Sequence, residues 1–137
     1  SPLLFSVFIN TISQSISSHF HLYADDLQLY RHTRVADVGA AISAINVDLS
    51  AIYNWAKSFG LLVNPSKSQA LIVGGRYMCG LLDYSSLAPI LYDNVPIAYS
   101  KCVKNLDLYI DSHLSWINHV SEVSRKTVYS FQSLKRL

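Results

Sequence analysis

Between Val38 and Phe59 the apolar residues fall at Val38, Ile42, Ile45, Leu49, Ile52, Ala56 and Phe59, in steps of four, three, four, three, four and three. That spacing keeps them on one face of a helix with 3.6 residues per turn, and it suits no strand. Gly60 follows at once and supplies a residue for a left-handed C-terminal stop. A helix of about six turns, running from about Val35 to Phe59, is therefore the organising element, and its apolar face needs a partner layer.

The flanking segments supply candidates for that layer. Residues 3 to 12 are apolar on nearly every side, as in a short buried helix end or a strand, and periodicity does not separate the two. Ser13 to Ser18 is Ser-rich and reads as a loop. Then come two short runs, Phe20-His21-Leu22-Tyr23 and Leu27-Gln28-Leu29-Tyr30, on either side of Ala24-Asp25-Asp26. This is the outline of a β-hairpin. Its turn lacks the Asn-Gly or Asp-Gly pair that a relaxed two-residue connection prefers, so turn propensity does not explain the two aspartates.

Beyond the helix, Leu61-Leu62-Val63 suggests a short strand broken by Asn64-Pro65, with Ser66, Lys67 and Ser68 on the loop. Ala70 to Val73 reads as a strand ended by Gly74-Gly75, and residues 76 to 88 are ambiguous. Pro89 to Tyr99 reads as a second hairpin turning at Asp93-Asn94, and Pro96 makes its second arm an edge strand. Val103 to Ile110 suggests one further strand. From Leu114 to Leu137 the pattern is helical, with Ile117, Val120, Val128, Phe131 and Leu134 expected to face inward. The opening Ser-Pro-Leu-Leu-Phe and the uncapped Lys-Arg-Leu ending both read as cut from a longer chain.

Composition narrows the class without naming a function. The chain has 137 residues, half of them hydrophobic and 15% charged, which fits one packed domain and not a disordered tail. Its net charge of +2 is mild for a protein that must neutralise several phosphates. Cys79 and Cys102 lie far apart without metal-ligand spacing, so two reduced thiols are expected. The five histidines show no ligand spacing either. No apolar run approaches the roughly 20 residues of a membrane span, so no membrane partner is expected.

The acidic pair carries the chemistry. Adjacent carboxylates repel and raise each other's pKa unless a cation intervenes, and hard oxygen ligands suit Mg²⁺. Two ions about 3.5–4 Å apart form the clamp used in phosphoryl transfer. A solvated Asp-Asp turn is the bland reading of the dipeptide taken alone. The longer stretch His21-Leu22-Tyr23-Ala24-Asp25-Asp26-Leu27-Gln28-Leu29-Tyr30 resembles the catalytic palm hairpin of reverse transcriptases. Pro2 to Asn10 resembles the motif just upstream of it. Trp55, Gly60-Leu61, Asn64 and Lys67 are similar to the family's next pattern. Val103-Lys104-Asn105-Leu106, Asp111, Leu114-Ser115-Trp116 and His119-Val120 resemble the palm-to-thumb stretch of enzymes from non-LTR, LINE-like (jockey-type) retrotransposons.

The resemblance implies a fold and a site. The fold is an α/β (α+β) partial polymerase palm over residues 1–110, with an antiparallel Asp-Asp hairpin and a long packing helix, followed by the start of a helical thumb over 111–137. The function is RNA-directed DNA polymerisation by two-metal nucleotidyl transfer, using Mg²⁺ (or Mn²⁺), an RNA template, a DNA primer and deoxynucleoside triphosphates, in an intracellular setting. Asp25 and Asp26 match the metal-binding pair, Tyr23 and Ala24 the positions near the primer terminus, and Lys67 the lysine that protonates the pyrophosphate leaving group.

Trp55 is expected in core packing and not as a base-stacking platform. The pattern departs from the family in three places. The first catalytic aspartate lies in an upstream motif missing here, so the chain alone is expected to be inactive and to need the N-terminal part of the polymerase. With no strand beside the hairpin its edge is open, and the isolated chain should be poorly soluble. Ser1 and Thr11 stand where Gly and Asp are usual, and Asp107 replaces the glycine expected after Leu106. A different class of reading is a non-catalytic nucleic-acid or protein interaction remnant of a degraded element; indifference to Asp25, Asp26 and metal would mark it.

Overall fold

In the computed structural model of the chain, which describes residue 7 and residues 9 to 135, the helical periodicity is realised as α1, Val38–Ser58. Val38, Ile42, Ile52 and Ala56 are buried, Ile45 and Leu49 are half-buried, and Phe59 lies past the end on the surface. Gly60 takes a φ of 69°. Its N–H donates to the Lys57 carbonyl at 3.1 Å, and Leu61 N–H reaches back to the Ala56 carbonyl at 2.9 Å. These two bonds form a Schellman stop. By length and composition alone α1 could cross a membrane, a property the run-length reading missed. It packs against β3 and the Asn10–Ser15 turn, and Asp48 is buried in its middle.

The described chain separates into two units, one comprising residues up to 68 together with 83–98, the other 69–82 together with 99 onward. The first is built on α1. A 3-10 turn, Asn10–Ser15, lays Ile12 against the helix, and a second, Val35–Asp37, leads into it. The β1 strand (His19–Tyr23) pairs antiparallel with β2 (Asp26–Tyr30). The β3 strand (Ile90–Tyr92) pairs with β4 (Val95–Ile97) and packs on α1, burying Tyr92 and Ile97. The Asn46 side chain joins the layers: its amide donates to the Pro89 carbonyl at 3.0 Å and its Oδ1 accepts from Leu91 N–H at 2.9 Å. Asp93 and Asn94 both adopt positive φ, the type I′ turn that two-residue hairpins favour. Pro96 lies on β4, which pairs on one side alone in this two-stranded sheet, as expected of an edge strand.

The second unit holds a short helix, α2 (Arg76–Gly80), and a hairpin of β5 (Cys102–Asn105) and β6 (Leu108–Asp111). Cys79 is buried on α2, close enough to Gly74 that a Cβ there would sit 3.2 Å from its sulfur. Both cysteines are free thiols. The Asp111 carboxylate accepts from His113 N–H, Ser115 N–H and the Ser115 hydroxyl at 2.8–3.0 Å. It thereby shapes the lead into α3, Ile117–Lys135, which packs against β6. These elements make a mixed α/β chain with small antiparallel sheets.

Several local expectations are corrected. Leu61 to Val63 is no strand: Leu61 belongs to the helix stop, and Leu62 is fully exposed. Ala70 to Val73 makes one parallel bridge, Ala70 to Tyr99, in place of a strand. Ser13 to Ser18 is partly a 3-10 turn and not all loop. Val103 to Ile110 is a hairpin and not a single strand, because Leu106 and Asp107, neither of them a glycine, both take positive φ. Asp107 therefore stands at a position where glycine is favoured, and an ion pair with Lys104 at 2.8 Å accompanies it. Ile117, Val120, Val128, Phe131 and Leu134 are exposed and not inward. Periodicity identifies the apolar face of a helix but not whether anything covers it. The reading of residues 1 to 6 and Phe8 lies outside the described residues.

Candidate active-site hairpin

The β1–β2 ladder pairs His19 with Tyr30, Phe20 with Leu29, His21 with Gln28, Leu22 with Leu27 and Tyr23 with Asp26. Opposed residues share a face. Phe20, Leu22, Leu27 and Leu29 make one half-buried side, and the other presents His19, His21, Tyr23, Asp26, Gln28 and Tyr30. On that outer side the Tyr30 ring stacks with both His19 and His21, at centroid distances of 5.4 and 5.2 Å. None of the ten strand residues is fully buried.

Ala24 and Asp25 form the connection. Ala24 has a φ of 52°, whereas Asp25 stays out of the left-handed region. Positive φ at the first central residue alone is the type II′ pattern, whose first position belongs to glycine. An L-residue held there costs about 1–2 kcal/mol.

Asp25 and Asp26 are exposed. The ion pairs among the described residues, Arg34–Asp37, Lys104–Asp107 and Arg125–Glu122, leave both out. Two adjacent carboxylates without an internal cation fit a hard divalent ion. Mg²⁺ is commonly held by one or two carboxylates, with water and substrate phosphates completing the shell. No group of three acidic, histidine or cysteine side chains among the described residues is placed to hold an ion. The hairpin thus offers two ligands and no more.

Tyr23, at 65% exposure, stands beside the pair. Lys67 sits in the same unit on a separate 3-10 turn, Pro65–Lys67, which lies next to β4. The Asn64 side chain shapes that turn, accepting from Ser66 N–H at 3.0 Å and from the Ser66 hydroxyl at 2.6 Å. Lys67 is exposed and makes no ion pair with either aspartate. Asp25, Asp26, Tyr23 and Ala24 are thus brought together, and Lys67 is not joined to them.

Two features were not anticipated. Trp55 donates its indole N–H to the Thr11 hydroxyl at 3.1 Å and lies against Phe59, 5.4 Å between ring centroids. Thr11 therefore has a partner of its own, and this bond adds to the packing role expected of Trp55. Asp48 is the second. At 2% exposure it is among the most buried side chains of the chain, and its Oδ1 accepts from Ser17 N–H (2.8 Å) and the Ser17 hydroxyl (3.0 Å), while Oδ2 accepts from Ser18 N–H (2.8 Å).

Burial pushes the Asp48 carboxyl up, but the Ser18 hydroxyl and the Ser17 and Ser18 donors outweigh it, so its pKa lies below the usual 3.8. The signal was present in the sequence. Asp48 falls three residues after Ile45 and four before Ile52, at the edge of the apolar stripe, where an acid needs buried donors.

A strained two-residue turn with an open pair of carboxylates and a long packed helix are now in place. No curated protein and no solved structure matches the chain. A family model described as reverse transcriptase (RNA-dependent DNA polymerase) does match, over residues 1–108, and since that is more than three quarters of the 137 residues, the chain belongs to the reverse transcriptase family.

Proposed function

We propose that this chain is the C-terminal palm and thumb portion of a reverse transcriptase from a non-LTR, LINE-like (jockey-type) retrotransposon, acting inside the cell in RNA-templated DNA synthesis. The palm spans residues 1–110 and the thumb begins at 111. One observation carries the reading: Asp25 and Asp26 stand exposed and without a cation at a strained turn, in a chain of a polymerase family.

In this reading Asp25 and Asp26 would hold the catalytic Mg²⁺, with Asp25 the principal direct ligand. When bound, such a metal would supply Lewis-acid stabilisation for nucleotidyl transfer from a deoxynucleoside triphosphate to the primer 3′-hydroxyl. Tyr23 and Ala24 bound the space that the primer terminus occupies, and the positive φ of Ala24 directs the chain so that Asp25 projects from the tip. Lys67, exposed and without an ion-pair partner among the described residues, is free to approach the triphosphate and give a proton to the departing pyrophosphate. Two-metal transfer requires a further carboxylate, and none of the described residues joins the pair. The 137-residue chain by itself therefore binds metal and primer–template without turnover.

The test is fluorescence anisotropy of a labelled primer–template with the chain, with and without magnesium. Magnesium-dependent binding that is lost in Asp25→Asn is the expected result. Binding indifferent to magnesium and to Asp25 and Asp26 would instead mark a non-catalytic interaction remnant.

A further inference from the structure

The β1–β2 hairpin raises a question that its own sequence does not answer. Burial of apolar side chains is what normally fixes one element against another. Yet none of the ten strand residues here is fully buried. The two carboxylates can serve a reaction only if the hairpin carrying them points one way, because a misplacement of about 1 Å is costly in catalysis. Something other than core packing must set its direction.

The polar contacts converge on the base of the hairpin. Ser17 and Ser18 immediately precede β1, and Arg31 immediately follows β2. The Asp48 carboxylate, rising from the middle of α1, takes the Ser17 and Ser18 N–H groups one on each oxygen, both at 2.8 Å, and the Ser17 hydroxyl at 3.0 Å. From the other strand the Arg31 guanidinium donates to the Ser18 hydroxyl at 3.3 Å. Ser18 is itself buried. The start of β1 is thereby held on one buried carboxylate, and the end of β2 reaches the same Ser18 through Arg31. Hydrogen bonds to an ionised acceptor are shorter and stronger than neutral ones, and inside a protein their directions are restrictive. Asp48 is anchored in turn by α1, whose Ile42, Ile52 and Ala56 are buried around it in sequence.

We infer that Asp48 is a positioning residue for the Asp25–Asp26 turn, orienting the β1–β2 hairpin on α1 through the Ser17–Ser18 clasp. It touches neither metal nor substrate and acts through the backbone at the start of β1. The inference rests on the reading of that turn as the metal site for what is positioned, but not for the clasp itself.

Residual dipolar couplings and amide exchange of the isotope-labelled 137-residue chain test it, for the wild type, Asp48→Asn, Ser18→Ala and Arg31→Ala. Asparagine keeps one acceptor for Ser17 but turns an N–H₂ toward the Ser18 N–H. Ser18→Ala and Arg31→Ala loosen the clasp from the hairpin side with α1 untouched, so they carry the test if Asp48→Asn fails to fold. In the wild type the hairpin and α1 couplings should fit one alignment frame. In Asp48→Asn the hairpin should leave that frame, with its amides exchanging about tenfold faster while those of α1 change by less than about threefold. The serine and arginine variants should show the same change at smaller amplitude.

Equal acceleration in hairpin and helix would overturn the inference, since Asp48 would then be a stability residue alone. So would a hairpin that stays in the frame of α1. Manganese added to the same wild-type sample separates the two readings: turn amides untouched by Mn²⁺ would end the metal reading while the orientation data still decide the clasp.

Discussion

The two hairpins of the first unit have connections of the same length and opposite priorities. In β3–β4 the turn residues are Asp93 and Asn94, types that tolerate the left-handed region, and both occupy it. The strands bury Tyr92 and Ile97 against α1, and the Tyr53 and Tyr92 rings meet edge to face at 5.7 Å. In β1–β2 an alanine is held at a φ of 52°, no strand residue is fully buried, and the tip carries two open carboxylates. The first hairpin is placed by packing and relaxed at its turn. The second is placed by a polar clasp and strained at its turn. Strain is not confined to the acidic turn, since Leu106 in the β5–β6 connection also takes a positive φ, but of the two hairpins in this unit only β1–β2 combines it with an open pair of carboxylates.

The contrast is sharpest for tyrosines. Tyr92→Ala should lower unfolding free energy by about 3–5 kcal/mol, because it empties a buried aromatic site. Tyr23→Ala should stay within about 0.5 kcal/mol, because that ring is exposed. Urea denaturation of the two variants checks the pair, and equal losses would erase the distinction between the hairpins. Asp48→Ala should come next, at about 1–3 kcal/mol, since the Ser17 and Ser18 N–H groups would lose their buried acceptor.

The turns themselves should respond in opposite directions. Ala24→Gly relieves the positive φ and should stabilise by up to about 1 kcal/mol, whereas Asn94→Ala should destabilise by about that amount. Thermal melts of both variants measure it, and a destabilised Ala24→Gly would mean that the turn is not strained.

Acid should show the smallest effect. The folded pKa of Asp48 is depressed, so its contribution is complete above the unfolded value of about 3.9 and is lost as pH falls through the lower folded value. The stability gap between wild type and Asp48→Asn should therefore be flat from pH 7 to about pH 5 and shrink below about pH 4. A gap that closes already near neutrality would assign the wrong sign to the shift.

How far the sequence foretold this molecule depended on the range of the cause. The helix Val38–Ser58 was legible because seven apolar residues and a glycine stop act locally. The β1–β2 and β3–β4 hairpins were legible too, the latter from Asp93-Asn94. The β5–β6 hairpin was hidden because Leu106 is not a turn residue, yet both it and Asp107 take positive φ. The exposure of the apolar face of α3 could not be read, since periodicity reports a face and not its partner. At the site, Asp25 and Asp26 stood out because two acids interrupt an apolar hairpin. Asp48 escaped notice because its partners, Ser17 and Ser18, lie some thirty residues away in what reads as an ordinary serine loop.

We propose above all that the Asp25–Asp26 turn is a divalent-metal site built on a strained hairpin. Paramagnetic broadening of the labelled chain by Mn²⁺ tests it most directly. Broadening should centre on the amides of Tyr23 to Leu27 and be abolished by Asp25→Asn, with the unfolding free energy of that variant changed by less than about 0.5 kcal/mol. Broadening spread over the other exposed acids, or unchanged in Asp25→Asn, would contradict it.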